Sequence, residues 1–181
     1  MEKVLFLFSS CEGQTKKILN YIEQALGEQY SCEYMNIHDE PNVDFRAYDR
    51  VLVGASIRYG HFNKKLYAFI NKYQAQLSQD NVAFFCVNLT ARKEGKDTPE
   101  GSAYIKKFLI KSPWQPALIG VFAGALRYPR YNFFDRTMIK LIMKITGGET
   151  DTTKEVEYTD WQKVSEFTQV FKQQGCRKVG G

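Results

Sequence analysis

Residues 3–20, KVLFLFSSCEGQTKKILN, decide how the rest of the chain is read. Val4, Leu5, Phe6, Leu7 and Phe8 make a short apolar run that predicts a strand. A small-polar turn follows at residues 9–15, and then Ile18, Leu19, Ile22 and Leu26 fall on one face of a helix. A strand that delivers hydroxyls and a glycine to a helix start can hold a phosphate, because free backbone N–H groups and aligned peptide dipoles point at one spot. The same turn also suits an ordinary strand-to-helix loop with an N-cap, and these residues alone leave both readings open. The dinucleotide fingerprint G-x-G-x-x-G is absent, since Gly13 is the only glycine of the turn, and the loop G-x-x-x-x-G-K-[ST] is absent too. A phosphate monoester fits this turn better than either nucleotide motif.

Outward from this unit, the chain alternates apolar runs with amphipathic stretches. Residues 32–37 read as a second strand that Pro41 closes off, and 51–55 read as a strand buried on both faces. Leu66, Phe69, Ile70, Tyr73 and Leu77 predict a helix, 82–89 another buried strand, and 98–111 a further helix. A fifth strand is expected at 117–125 and a last helix at about 159–173. Such alternation implies an α/β fold with a parallel sheet and helices on both faces. Ligands in such sheets bind beyond the carboxyl ends of the strands, so the loops 9–15, 56–61 and 88–93 should converge.

The 181 residues suffice for one domain, expected over 1–175 with a tail at 176–181. A hydrophobic fraction of 44% and a charged fraction of 25% are those of an ordinary soluble globular chain. Glu2 and the shortness of the first apolar run argue against a secretory leader, and no stretch reaches the ~20 apolar residues of a membrane span. Cytoplasmic placement is expected. Cys11, Cys32, Cys86 and Cys176 show no metal-ligand spacing and read as reduced thiols, with Cys86 in the core, so no metal is expected.

The segment at about 126–150 is more than a minimal α/β sandwich needs. Arg136, Lys140 and Lys144 recur at helical spacing, with Phe134, Met138, Leu141, Ile142 and Ile145 opposite them. With Arg127 and Arg130 and the single acid Asp135, it concentrates much of the net charge of +5. A cationic stripe beside a wide apolar face suits a helix lying in the interface of an anionic membrane. A core helix with a solvated basic edge is the other reading, and nucleic acid is disfavoured because the aromatics precede the charges.

The opening S-S-C-E-G-Q-T resembles the phosphate loop of flavodoxin-like proteins. G-A-S-I-R-Y-G-H at 54–61, V-N-L-x-A-R-K at 87–93, A-G-A-L-R-Y-P-R-Y at 123–131 and I-K-L-I-M-K-x-x-G-G-E-T-D-T at 139–152 resemble its menaquinone-dependent protoporphyrinogen dehydrogenase branch. The resemblance implies a flavodoxin-like three-layer sandwich, a five-stranded parallel sheet in order 2-1-3-4-5, and a long insertion before the last helix. It implies FMN, with Ser10, Cys11, Glu12, Gly13, Gln14 and Thr15 around the phosphate. Ser56, Ile57, Arg58, Tyr59 and Gly60, together with Asn88, Leu89, Thr90, Ala91 and Arg92, would approach the flavin ring. It further implies oxidation of protoporphyrinogen IX with menaquinone or ubiquinone as acceptor, by a peripheral protein at the cytoplasmic face of the inner membrane. Arg58, Arg92, Arg127 and Arg130 are candidates for pairing with substrate carboxylates, and His61 for proton transfer. An aromatic in only one flavin-flanking loop, Tyr59, leaves one ring face open for a substrate, and a net basic chain differs from acidic electron carriers. Alternatives are a nicotinamide-dependent quinone reductase and a flavodoxin-type carrier; homo-oligomerisation is left open.

Overall fold

The structure, a computed structural model, describes residues 1–10 and 12–175; the expectations for Cys11, Cys176 and the tail lie outside the described residues. Strands β1 (Glu2–Ser9), β2 (Tyr30–Asn36), β3 (Arg50–Ser56), β4 (Val82–Asn88) and β5 (Ile119–Ala123) form one sheet in the order β2-β1-β3-β4-β5. All four pairings are parallel. Helices α1 (Gln14–Leu26), α2 (Lys64–Lys72), α3 (Gln74–Leu77), α4 (Ala103–Lys111), α5 (Phe133–Ile145) and α6 (Trp161–Gln173) complete the chain with two short strands, β6 (Ala125–Arg127) and β7 (Glu155–Glu157).

The layering follows from the two-residue period of the strands. Val4 and Phe6 enter one core with Ile18, Ile22, Phe85, Phe167 and Phe171, while Leu5 and Leu7 enter the other with Leu66, Ile70, Phe84, Phe108 and Trp114. Every residue of β4 is buried, as a central parallel strand requires. Phe84 stacks on Phe108 at 4.7 Å between ring centroids, which pins α4 to the sheet.

Several boundaries differ from the sequence expectation. The helix expected to run through Tyr73 is broken there into α2 and α3, and Tyr73 turns its hydroxyl to Pro41, Asn42 and the Val43 amide. α4 begins at Ala103 rather than at Thr98, because Ser102 accepts the Ile105 N–H as an N-cap and Gly101 is folded hard against the Gly95 carbonyl. β5 ends at Ala123, and the chain leaves the sheet to form β6, which pairs antiparallel with β7. This small ladder, absent from the sequence reading, closes the insertion on a third core of Leu126, Tyr128, Tyr131 and Met143.

α5 does not sit in the core as the second reading of the insertion required. Phe133, Phe134, Leu141 and Ile145 are 82%, 67%, 53% and 76% exposed, and the buried side chains are Asp135 and Met143.

Candidate functional site

The carboxyl ends of β1, β3 and β4 open into one cleft that α5 roofs. α2, α4, α5 and α6 each start on a capping side chain, respectively Asn63, Ser102, Asn132 and Asp160. α1 starts on Gly13 with no side-chain cap, at a φ of 84° that favours glycine. The next turn therefore offers N–H groups and a positive dipole end toward the loop. Thr15, fully buried on this turn, has a hydroxyl without a hydrogen-bond partner among the described residues. Buried hydroxyls are rarely left so, which marks a place where an acceptor belongs. Gly54 makes room for Thr15, since a Cβ there would lie 3.0 Å from the Thr15 methyl and collide with the Phe85 ring.

Other side chains of this loop turn toward the insertion. Gln14 donates from Nε2 to the Thr159 hydroxyl at 2.9 Å and accepts from Arg127 Nη2 at 2.5 Å. Glu12 accepts from the Tyr131 hydroxyl at 3.1 Å, and Tyr131 in turn accepts the Arg127 backbone N–H at 3.1 Å. Desolvation raises the Glu12 carboxyl above its ordinary value, although the Tyr131 hydrogen bond and the Arg58 and Arg127 charges pull it down. Burial pushes the Tyr131 hydroxyl up to about 12, so it stays a donor at neutral pH. Ser10, Glu12 and Gln14 line the cleft.

The second loop is a tight hairpin in which Arg58 and His61 exchange backbone hydrogen bonds of 3.1 and 3.3 Å. Its two central residues, Tyr59 and Gly60, have φ values of 52° and 81°, the left-handed pair of a type I′ turn. Holding a tyrosine in that region costs about 1–2 kcal/mol, and the turn spends it on projecting an aromatic, 41% exposed, at the cleft rim. The Arg58 guanidinium lies 5.3 Å from that ring and donates to Asp135 at 2.6 Å, fastening the hairpin to α5. In the third loop Asn88 accepts the Ala91 N–H at 2.9 Å. Arg92 donates to the Leu89 carbonyl at 2.8 Å and to the Thr146 carbonyl and hydroxyl at 3.1 and 2.9 Å. A cation at the last turn of α5 also suits the helix dipole.

Ser56, Ile57, Arg58, Tyr59, Gly60, Asn88, Leu89, Thr90 and Arg92 thus line the cleft, with Ala91 buried behind. Gly124, Ala125, Tyr104 and Tyr131 line it too, and Ile139, Ile142 and Met143 of α5, with Thr146 just past its end, form the roof. Of these, Ile142 is expected from the sequence as a partner-facing residue, and the others are given no site role there. The repeat Asp135, Ile139, Ile142 or Met143, Thr146 at helical spacing is the signal that marks this face. Lys140 and Lys144 flank the exposed apolar face that carries Phe134, Leu141 and Ile145, whereas Met138 is half-buried and Arg136, half-buried too, donates to the Tyr131 carbonyl at 3.3 Å.

The candidate acid–base and carboxylate-pairing residues are separated. Arg58 is at the cleft. Arg127 turns to Gln14, and Arg130 is exposed and paired with Glu155 at 2.8 Å. His61 lines a second small pocket with Ser9, His38, Ser56, Arg58, Tyr59 and Asn63, and is not among the residues that line the cleft.

Residues 5–153 match the family model of the flavodoxin domain. A protoporphyrinogen IX dehydrogenase [quinone] of Escherichia coli (strain K12) is 49% identical over 166 residues, covering 91% of this chain and 92% of that protein. The protein of the same name from Leishmania major is 48% identical over 171 residues, covering 93% and 74%. Among solved structures, oxidised Flavodoxin 1 from Bacillus cereus aligns with a TM-score of 0.52 at 13% identity, covering 98% of this chain and 99% of that one. The flavoenzyme FerB from Paracoccus denitrificans aligns at 0.51 and 10% identity, covering 97% of each. These structural likenesses concern the fold alone. With identity near one half sustained along almost its whole length, the chain belongs to the protoporphyrinogen IX dehydrogenase [quinone] family of flavodoxin-domain proteins.

Proposed function

We infer that the chain is an FMN-dependent oxidoreductase that converts protoporphyrinogen IX to protoporphyrin IX, a step of haem biosynthesis, with a quinone as electron acceptor. The observation that carries this reading is the full-length identity with relatives of that name, spanning both the sheet loops and the insertion. The cleft fits the cofactor: the uncapped start of α1 and the orphaned Thr15 hydroxyl are donors awaiting an anionic acceptor.

Bound there, FMN supplies a two-electron acceptor that the side chains themselves lack. Ser10, Thr15 and the first N–H groups of α1 hold its phosphate. The Tyr59 hairpin and residues 88–92 border its ring, and Asn88 keeps the third loop in shape through the Ala91 N–H. Ile139, Ile142 and Met143 roof the cleft with apolar surface, which excludes water and suits a large flat hydrophobic substrate. Arg58, held by Asp135 at the rim, is the guanidinium that pairs with the substrate carboxylates.

The outward face of α5 supports, as part of this reading, a peripheral position on the cytoplasmic face of the inner membrane. Its exposed Phe133, Phe134, Leu141 and Ile145 enter the interface, and Lys140 and Lys144 face anionic headgroups. No helix among the described residues is long and apolar enough to cross a membrane. The deciding assay supplies protoporphyrinogen IX and menaquinone to the purified protein and follows porphyrin fluorescence. Porphyrin formation that depends on FMN and quinone is expected. Quinone reduction driven by a nicotinamide nucleotide, without porphyrin formation, would overturn the reading.

A further inference from the structure

We propose that Arg127 is a ligand of the flavin phosphate, contributed by the insertion, and that it makes the protein prefer the phosphorylated flavin. The inference rests on the FMN reading above. Arg127 belongs to β6, far from the phosphate loop in sequence, yet its Nη2 donates to the Gln14 side chain at 2.5 Å, on the first residue of α1. Its Nη1 is buried and has no partner among the described residues. The two nitrogens sit on one planar guanidinium, so the orphaned one lies at the same helix start. One residue further along α1 is the fully buried Thr15, whose hydroxyl is orphaned as well.

Two buried donors without acceptors, at a helix start with no side-chain cap, call for one anion. A guanidinium is donor-only and matches phosphate oxygens in geometry. The acid of the loop, Glu12, bonds the Tyr131 hydroxyl and makes no hydrogen bond to Arg127 Nη1. Tyr131 also accepts the Arg127 backbone N–H, so a single strap holds Arg127 against the loop. Arg127 is absent from the residues that line the open cleft, whereas Arg58 is among them.

The experiment compares FMN with riboflavin, which lacks the phosphate, on the full-length protein by flavin fluorescence titration. Arg127→Gln should weaken FMN about 10- to 100-fold, the usual range for a lost charge-assisted hydrogen bond, and leave riboflavin within about twofold. Arg127→Lys should fall between, keeping charge without the fork. Equal weakening of both flavins, or unchanged FMN affinity, would overturn the proposal and return Arg127 to a loop-bracing role. Circular dichroism melts check that the variants fold; if Arg127→Gln does not, the FMN-to-riboflavin ratio of Arg127→Lys decides, and an unchanged ratio refutes the proposal. A wild-type protein that binds neither flavin would sink the FMN reading itself, a result distinct from those above.

Discussion

Replacing Thr15 by Val should move stability and cofactor affinity in opposite directions. Valine keeps the branched shape that fits beside Gly54 and removes only the orphaned hydroxyl. In the flavin-free protein that hydroxyl is buried without a partner, a condition that costs about 1–3 kcal/mol. Its removal should therefore raise the stability of the flavin-free chain by about 1–2 kcal/mol, or roughly 2–8 °C in Tm for a chain of this size. With FMN present the same hydroxyl donates to phosphate, a charge-assisted bond of about 1.5–3 kcal/mol, so the variant should bind FMN about 10- to 100-fold less tightly. Thermal melts of the flavin-free full-length protein and fluorescence titration with FMN measure the two quantities. A variant that melts lower without flavin, or binds FMN as tightly as wild type, would refute the assignment of Thr15 to the phosphate.

Other expectations follow from neighbouring contacts. Because the folded Glu12 carboxyl is raised above its ordinary value, its contribution to stability is full below the ordinary carboxylate range and is lost as pH rises through the elevated value. Glu12→Gln should therefore melt higher than wild type at pH 7 and lose that advantage in acid; equal Tm differences at both pH values would contradict the burial argument. Gly54→Ala should destabilise the protein by about 1–3 kcal/mol in urea unfolding, since its Cβ meets the Phe85 ring and Thr15, and a neutral result would mean the sheet yields there. The pair Phe134→Ser and Ile145→Ser should cut sedimentation with anionic vesicles at least about tenfold, because each side chain carries about 1.5–3 kcal/mol of burial, while FMN titration stays unchanged. Sedimentation equal to wild type would remove α5 from membrane binding.

The sheet was legible because its information is local. The run 4–8, the glycine turn and the face Ile18, Leu19, Ile22 specify β1, loop and α1 within one window, and β3 and β4 announce themselves as uninterrupted apolar runs. The three cleft loops came with them, since their place is fixed by strand polarity. What stayed hidden depends on contacts between distant residues. Arg127 reaches Gln14 across 113 residues and Tyr131 reaches Glu12 across 119, and no local pattern encodes either pairing. β6 and β7 are three residues each, too short for a period to register. Tyr104 lies on a helix whose apolar residues read as core. α5 misled because its wide apolar arc was assigned to one partner, whereas Ile139 and Met143 face the cleft and Phe134, Leu141 and Ile145 face outward.

That division of α5 fixes its length as well as its composition. Each residue turns a helix by about 100°, so adding or losing one residue between Asp135 and Ile139 rotates everything beyond it. An added residue would bring Met138, Ile142 and Ile145 to the positions of Ile139, Met143 and Thr146, an apolar roof still. A lost residue would bring Lys140, Lys144 and Gly147 to the positions of Ile139, Met143 and Thr146, setting two ammonium groups over the flavin cleft. Within this stretch, chains of this kind should accept changes of side chain far more readily than changes of spacing, and the rarer insertion more readily than the deletion.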